Sequence, residues 1–435
     1  MFAYYFLMGL RGLRRSPALT ALMVLTLAVG VAASVATLTI FHAMSGDPAP
    51  AKSARLFVPL LDNGPLAGHV AGEPPGDVQL NYRDARNLLA GKQGRRRTAL
   101  FGVAAVIEPA RPDLAARDSR GVAAGRDFFA MFEAPFRYGQ GWDEAGDTAD
   151  VIVLTRALAE TLFGAVDPVG RRLRLMGASF QVVGVLERWR PVPRYYRLVG
   201  GAGPFGQDDE FFIPFHSAIR LHAAHEGGMS CQGDRADTYQ GMLDSECTWL
   251  QFWFETDDAA GRGALQDYLD GYAAEQRKLG RLPRRAANRL YDVMEWLQEL
   301  KVAGNDSRLA VWLSFGFLAL CLVNTVGLLL AKFSARAGEI GIRRALGASR
   351  REIFRQFLIE AGVIGLAGGA LGLLLALAAL AMVARQADEL ARATEMDAAM
   401  LAATFALAVL TALAAGLLPT WRACRVSPAL QLKSQ

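Results

Sequence analysis

Few residues in this 435-residue sequence have the types and spacing that chemistry requires. No G-x-x-x-x-G-K-[ST] phosphate-binding loop occurs, because Gly91-Lys92 lacks both the upstream glycine and the following hydroxyl residue. His222 and His225 could share a helical face as metal ligands, with His216 nearby, although solvent-exposed histidines are far commoner. We therefore predict no catalytic residue, no metal site and no bound cofactor, and a membrane-anchored enzyme is disfavoured.

The elements that must position any functional residue are membrane spans and a water-soluble domain. Hydrophobic residues make up 52% of the sequence and the mean hydropathy is +0.20, which is high for a soluble protein and low for a wholly embedded one. A bilayer crossing takes ~20 apolar residues, and backbone amides in hydrocarbon must be bonded internally. We predict four transmembrane α-helices, over residues 18–44, 309–331, 357–384 and 398–421.

Two of these spans leave alternatives open. The first could instead be a cleaved signal peptide, since Arg11, Arg14 and Arg15 precede it, but its apolar run is longer than the roughly 7–15 residues of such a peptide. Glu360, near the start of the third span, is the only candidate within the spans for a proton relay. Its place near the cytoplasmic end favours a snorkelling or interfacial role instead.

Lysine and arginine are concentrated in three segments, namely residues 1–17, the loop 332–356 and the tail 422–435, whereas the loop 385–397 is acidic. Cytoplasmic loops carry the excess of Lys and Arg. We therefore predict that both termini and the loop 332–356 are cytoplasmic and that residues 45–308 lie outside. The net charge of +5 is explained by this topology, and nucleic acid is not an expected partner.

Residues 45–308 are numerous enough to form their own core, inserted between the first and second spans. Val151–Leu154 and Gln181–Val185 are typical of short buried strands, and Arg172–Leu175 alternates as a half-exposed strand does. Ala157–Phe163 is typical of a short helix. These patterns predict a mixed α/β extracytoplasmic domain.

The end of this domain favours a helix. Leu290, Val293, Met294, Leu297 and Leu300 fall at helical spacing on one face. Since the segment runs almost directly into the second span, a helix near residues 285–308 could continue outward as a stalk. The same periodicity suits an amphipathic helix packed on its own domain.

Two of the four cysteines, Cys231 and Cys247, lie in the inserted domain and flank a polar segment rich in Gly and Asp. In an oxidising compartment a disulfide between them would add ~3 kcal/mol of stability. Two unpaired thiols are the alternative. Cys321 lies in the second span and Cys424 in the tail, where we expect no role beyond packing.

Glycines of the third span predict a helix-packing face. Gly365 with Gly369, and Gly368 with Gly372, form two overlapping small-xxx-small pairs, which let helix backbones approach closely. A kink, or simple tolerance of glycine within spans, is the alternative.

Residues 332–356 are typical of a basic helical hairpin. Gly347 would break the first helix, and Ser349 with Glu352 three residues later would cap the second. Such a short rigid hairpin at the cytoplasmic surface can transmit force or dock a partner. The alternative is a basic anchor resting on anionic lipid headgroups.

The hairpin resembles that of the MacB/FtsX-like permeases of ABC transporters, in which E-I-[GA]-[IV]-R-[RL]-A-L-G-A-[ST]-R follows the second span. Glu339–Arg350 match this motif almost throughout. Arg11–Pro17 resembles the family's start, the stretch from Val151 to Val185 its periplasmic core domain, and Pro419–Leu430 its closing motif. Residues 190–260 depart from the common pattern.

The resemblance implies a dimeric permease of a bacterial inner membrane, paired with an identical or a related chain. MacB itself carries a fused ATPase domain, whereas this chain starts just before the first span, so ATP is expected on a separate ABC ATPase subunit. By the same resemblance, that ATPase would contact the following residues: Glu339, Ile340, Arg343, Arg344, Leu346, Gly347, Ser349 and Arg350.

The implied function is to convey ATPase motion to the periplasmic domain and so export a peptide, an antibiotic or a similar amphiphile from the periplasm. A periplasmic adaptor and an outer-membrane channel are possible further partners, and membrane lipid surrounds the spans. A lipoprotein-releasing permease and a non-transporting mechanotransmitter that activates a cell-wall hydrolase are the alternatives.

Overall fold

The computed structural model describes residues 16–64, 70, 78–109, 111, 113–199, 203–231, 237–284, 287–336, 338–339, 342–343, 346–386, 406 and 410. The chain forms two compact units. The helical unit comprises Met1–Ser45 with Ala303–Gln435, and the α/β unit comprises Gly46–Val302.

The described helices and strands are numbered in chain order. The helices are α1 (Pro17–Ser45), α2 (Tyr82–Ala90), α3 (Phe128–Met131), α4 (Arg156–Phe163), α5 (Phe215–Arg220), α6 (Tyr239–Asp244), α7 (Gly261–Lys278), α8 (Val293–Glu299), α9 (Asn305–Ser334) and α10 (Arg350–Gln386). The strands are β1 (Leu56–Leu60), β2 (Leu80–Asn81), β3 (Arg96–Glu108), β4 (Arg117–Ala124), β5 (Phe136–Gly139), β6 (Val151–Thr155), β7 (Arg172–Leu175), β8 (Ala178–Leu186), β9 (Phe211–Pro214), β10 (His225–Glu226), β11 (Thr248–Glu255) and β12 (Arg289–Asp292).

Among the described residues, three helices are long and apolar enough to cross a membrane, namely α1, α9 and α10. They contain the first three predicted spans and extend beyond them. Because α10 begins at Arg350, the third span and the second arm of the predicted hairpin are one continuous helix. The fourth predicted span, 398–421, lies outside the described residues apart from Ala406 and Leu410.

Contacts within the helical unit are apolar with few polar additions. Side chains from all three spans form one apolar cluster, made of Val31, Val35, Leu318 and Ala376. The Ser34 hydroxyl of α1 donates to the carbonyl oxygen of Ser314 in α9 at 3.0 Å. Because lipid tails are as apolar as the side chains, the hydrophobic effect does not drive helices together within a membrane. Close packing and hydrogen bonds of this kind hold them together instead.

The α/β unit is built on a mixed sheet with the strand order β12-β1-β11-β3-β4-β9-β6-β8-β5. Along this order β4–β9 and β6–β8 are parallel and the other neighbours are antiparallel. Every residue of β11 is buried, because both faces of that strand are covered. Phe252 and Phe254 pack in the main core, while Trp253 packs against Phe132 and Tyr195.

The local patterns in the middle of this unit are confirmed. The predicted strands lie within β6, β7 and β8, and the predicted short helix lies within α4. Gly164 ends α4 with a φ of 80°, in the left-handed region that favours glycine.

The predicted helix near residues 285–308 is wrong over most of its length. Leu290 lies in β12, which pairs with β1. The helix α8 is only seven residues long and begins at a capping box formed by Asp292 and Glu295. The chain then turns at residues 300–304 before α9 begins. The side chains that α8 buries are Val293, Trp296 and Leu297. This burial agrees with the alternative interpretation, in which an amphipathic helix packs on its own domain.

Candidate functional site

The hairpin between α9 and α10 turns at Gly347, whose φ of 100° is unfavourable for residues with a side chain. The Glu352 N–H donates to Ser349 Oγ at 3.2 Å, and the Ser349 N–H donates to Glu352 Oε2 at 2.9 Å. These reciprocal bonds are the capping box that the sequence predicts. They fix where α10 begins.

Arg343 ties the first arm of the hairpin to α10. Its guanidinium donates to the Glu339 carboxylate one turn earlier and to Gln356 Oε1 of α10 at 3.1 Å. The Glu339 and Arg343 side chains are each 39% exposed, so their ion pair alone contributes little stability. The bond to Gln356 crosses between the two arms and therefore holds the shape of the hairpin.

The hairpin presents apolar side chains to solvent. Ile342 is 62% exposed and Leu346 is 83% exposed. The Leu346 N–H donates to the Ile342 carbonyl oxygen at 3.0 Å, so the two residues lie one helical turn apart. With the exposed Arg350 close in sequence, they form a surface suited to docking a partner. The predicted coupling residues Ile340 and Arg344 lie outside the described residues.

Ionisable side chains meet where α9 and α10 approach the hairpin, a contact that the sequence does not predict. Lys332 Nζ lies 2.8 Å from Glu360 Oε1, and Arg336 Nη1 lies 3.1 Å from Glu360 Oε2. Lys332 Nζ also donates to Thr20 Oγ1 of α1 at 3.3 Å. We call Thr20, Lys332, Arg336 and Glu360 the polar clamp. The Lys332 and Glu360 side chains are each 2% exposed, so Glu360 is buried between helices and does not snorkel.

An apolar cluster adjoins the polar clamp. The rings of Phe333 and Phe357 are 4.3 Å apart between centroids. The cluster consists of Met23, Leu329, Phe333, Ile353, Phe357, Ala361 and Ile364. Two of its members, Phe333 and Ala361, directly follow Lys332 and Glu360 in sequence. By keeping water away, the cluster strengthens the attraction between the charges of the polar clamp.

Glycines of the third span bring α10 against α1. A Cβ at Gly372 would lie 2.9 Å from both the backbone oxygen of Ala28 and the Cβ of Val31. A Cβ at Gly368 would lie 2.9 Å from the side chain of Leu27. Gly365 and Gly369, the other predicted pair, are also buried. The contacts of Gly368 and Gly372 favour a packing face over simple tolerance of glycine.

A buried network of charges lies within residues 190–260, the stretch that departs from the common pattern. The Arg194 and Arg197 side chains are each 1% exposed, and both pair with Asp209, whose side chain is 0% exposed. The Tyr196 hydroxyl donates to Asp209 Oδ2 at 2.7 Å. Arg197 also pairs with Glu226 at 3.1 Å. Residue types alone place arginines on the surface, so sequence patterns give no signal for this network.

The neighbours of Asp209 set its protonation. Burial acts to raise the pKa of this carboxyl, but the charges of Arg197 and Arg194 outweigh burial, so the pKa lies below its ordinary value. Burial, together with the Asp209 charge, raises the pKa of the Tyr196 hydroxyl well above its ordinary value. At neutral pH the network therefore consists of an ionised Asp209 and a neutral Tyr196 donor.

A groove of about 1250 Å³ opens on the α/β unit between the β3–β4 hairpin, the start of α4 and the segment after β8. Trp189 lines it, and its indole stacks on Tyr196 with the ring centroids 5.0 Å apart. Five arginines and five carboxylates also line it. They pair with one another in several places, as Arg117–Glu210, Arg156–Glu187 and Arg190–Asp208. The groove therefore places an aromatic surface among paired charges.

Cys231 and Cys247 form a disulfide with an S–S distance of 2.09 Å. Cys247 is buried, directly before β11. The bond therefore attaches the preceding segment to the centre of the sheet.

Replacing both cysteines by serine is expected to lower the free energy of unfolding by about 3 kcal/mol, because the bond closes a loop with a sequence separation of 16. Thermal unfolding of the full chain with and without reductant measures the effect. Reductant should lower the Tm of the wild type to that of the variant and leave the variant unchanged. A wild-type Tm that ignores reductant would contradict the expectation.

The three histidines considered as metal ligands do not come together. His222 follows α5 with a φ of 54° and stacks on Tyr239, whereas His225 begins β10. His216 lies 3.9 Å from Asp147. His222 and His225 therefore do not share a helical face. Within the described ranges, no group of three or more His, Cys, Asp or Glu side chains is placed to hold a metal ion.

Both units match known families. Residues 20–272 match the MacB-like periplasmic core domain, and residues 311–428 match the FtsX-like permease C-terminal domain. The macrolide export ATP-binding/permease protein MacB of Bdellovibrio bacteriovorus is 26% identical over 283 residues, which are 64% of this chain and 38% of that protein. The pyoverdine export ATP-binding/permease protein PvdT of Pseudomonas syringae pv. tomato is 28% identical over 324 residues, 73% of this chain and 43% of that protein.

Among solved structures, the periplasmic region of MacB from Actinobacillus actinomycetemcomitans aligns with 58% of this chain and 95% of that one, with a TM-score of 0.36 and 11% identity. The chain spans about two fifths of the length of the two curated relatives above. The match to the core domain covers more than half of the chain, and the permease domain follows it in the expected order. The chain belongs to the MacB/FtsX-like family of ABC transporter permeases.

Proposed function

We propose that this chain is the permease subunit of an ABC-type export complex and that it conveys the motion of an ATPase to its periplasmic domain. One observation carries the proposal. The helix α10 runs without a break from its cap at Ser349 through the third span, so a displacement of the hairpin moves that span as a rod.

ATP hydrolysis is assigned to a separate ABC ATPase subunit. The relatives named above are ATP-binding/permease proteins, which supports an ABC ATPase as the source of the motion. The exposed Ile342 and Leu346, with Arg343 and Arg350 beside them, are the proposed contact surface for this subunit. A second permease chain, identical or related, completes the complex.

The proposed cargo is a peptide, an antibiotic or a similar amphiphile taken up from the periplasmic side. Two relatives are named for the export of macrolides and of pyoverdine, which supports export as the function. The groove beside Trp189 offers such a cargo an aromatic surface between paired charges. A periplasmic adaptor and an outer-membrane channel would carry the cargo onward.

Replacing Leu346 by Asp is expected to weaken binding of the ATPase about tenfold, because a charge would replace an apolar side chain at the centre of the docking surface. Binding is measured by titrating labelled ATPase onto the full chain in nanodiscs. Leu279→Asp in the α/β unit is the matched control, since Leu279 is 73% exposed and the substitution is the same. Equal affinity of the two variants would remove the docking role, and ATP hydrolysis by this chain alone would contradict a separate ATPase.

A further inference from the structure

The polar clamp stands at the point through which any motion of the hairpin must pass. Lys332 lies in the last turn of α9 and Arg336 lies two residues beyond that helix, at the start of the hairpin. Glu360 lies on α10 about 15 Å from Arg350, at about 1.5 Å of rise per residue. Through Thr20, the polar clamp also includes a contact with the first turn of α1. The polar clamp therefore connects all three described spans at the base of the hairpin.

A second polar contact lies one turn from the clamp. Gln356 and Glu360 are four residues apart on α10 and so share a face of that helix. Gln356 accepts a hydrogen bond from Arg343 in the first arm of the hairpin. Two directional contacts on one face resist rotation of α10 as well as sliding, which a single contact cannot do.

The apolar contacts between α9 and α10 fix the register of the two helices less well than the polar clamp does. Dispersion contacts are individually small, and a shift of about one helical turn exchanges one set of apolar neighbours for another. A buried ion pair depends strongly on distance and has few alternative partners in an apolar setting. Removing Lys332 and Glu360 would leave the ring contact of Phe333 with Phe357 and the surrounding apolar cluster.

We propose that Lys332, Arg336 and Glu360 are positioning residues that lock the register of α9 against α10, so that motion of the hairpin is passed to both spans together rather than lost between them. The inference rests on the proposed function and adds to it the residues that carry the motion into the membrane. None of the three lines the groove of the α/β unit, and the proposed docking surface consists of other residues.

The test uses the full chain with its ATPase in nanodiscs, with the free cysteines replaced and one spin label at position 166, where Val166 is 51% exposed. Distances between the labels of the two permease chains are measured without nucleotide and after trapping with ATP and vanadate. The key variant replaces Lys332 and Arg336 by Met and Glu360 by Leu, since apolar side chains can replace buried ion pairs without loss of folding, whereas a remaining Arg336 would lose its ion pair with Glu360. Lys332→Glu and Arg336→Glu with Glu360→Lys restores the ion pairs with reversed charges. Arg385→Met controls for loss of a charge elsewhere on α10.

The wild type and Arg385→Met are expected to show the same nucleotide-dependent shift in distance. The apolar variant should bind the ATPase and hydrolyse ATP at the wild-type rate but lose most of that shift, and the reversed pairs should regain it. A full shift in the apolar variant would overturn the proposal, as would loss of ATPase binding, which would reduce the clamp to a support for the docking surface. Absence of any shift in the wild type would overturn the proposed function and this inference together.

Discussion

Replacing Asp209 by Asn is expected to lower the free energy of unfolding of the α/β unit by about 3 kcal/mol or more, because two buried arginines would lose their shared counter-ion. Arg194 would keep its bonds to the carbonyl oxygens of Gln207 and Gly203, but its charge would be uncompensated. Arg197 would keep only Glu226, whose side chain is 13% exposed.

Urea unfolding of the full chain, followed by tryptophan fluorescence, measures this effect. Trp253 is a suitable reporter because its indole N–H donates to the Tyr196 carbonyl oxygen at 3.0 Å, within the same network. The matched control is Asp257→Asn, since Asp257 is 83% exposed and lies 3.8 Å from Arg95. Its cost should stay below about 1 kcal/mol. Equal costs for the two substitutions would show that the buried network does not stabilise the unit.

The same carboxylate predicts a dependence of stability on pH. The pKa of Asp209 is lower in the folded chain than in the unfolded chain, whose ordinary value is about 3.9. The unfolded chain therefore binds the proton first, and the contribution of Asp209 is fully present above about pH 4 and is lost as pH falls through the folded-state pKa. We expect the wild type to lose stability more steeply than Asp209→Asn as pH falls from about 5 to 3. Parallel curves would contradict this.

Replacing Gly372 by Ala is expected to destabilise the helical unit by about 1–3 kcal/mol, because the added Cβ would lie 2.9 Å from the backbone oxygen of Ala28 and α1 would have to move away. Gly362→Ala is the matched control on the same helix, since a Cβ there meets nothing within 4 Å. The control should be neutral or slightly stabilising, because alanine favours a helix over glycine by about 1 kcal/mol.

Thermal denaturation of both glycine variants in detergent, followed by the protection of a cysteine introduced into α1 from a thiol reagent, gives the comparison. Opposite signs of the shift in Tm are the expected result. Stabilisation by both substitutions would mean that α1 and α10 do not pack through Gly372.

Sequence patterns predict the parts of this protein whose signals are local. The strand alternation of Arg172–Leu175 and the capping box of Ser349 and Glu352 each depend on residues that are close in sequence, and the structure contains both. The long apolar runs predict α1, α9 and α10 because only length and composition decide whether a helix can cross a bilayer.

The remaining features depend on residues that are distant in sequence. The sequence indicates only that Lys332 is the basic end of a span. No residue close to it in sequence indicates that it pairs with Glu360 of another helix. Arg194 and Asp209 have the types of surface residues, and only the tertiary fold buries them together. The helical spacing that begins at Leu290 was misleading because it continues across the junction between a strand and a helix.

The pairing of β1 with β12 has a mechanical consequence. β1 is the first strand after α1, β12 is the last strand before α9, and Phe57 lies opposite Asp292 in this antiparallel pair. Both connections to the spans therefore leave from the same end of one hydrogen-bonded ladder. If α1 and α9 are displaced equally, the ladder moves with them without strain. If they are displaced unequally, the two strands are pulled apart at the end of the ladder that is connected to the spans, where the hydrogen bonds break one at a time. Under the proposed function, the α/β unit follows the common movement of the two helices and resists their separation.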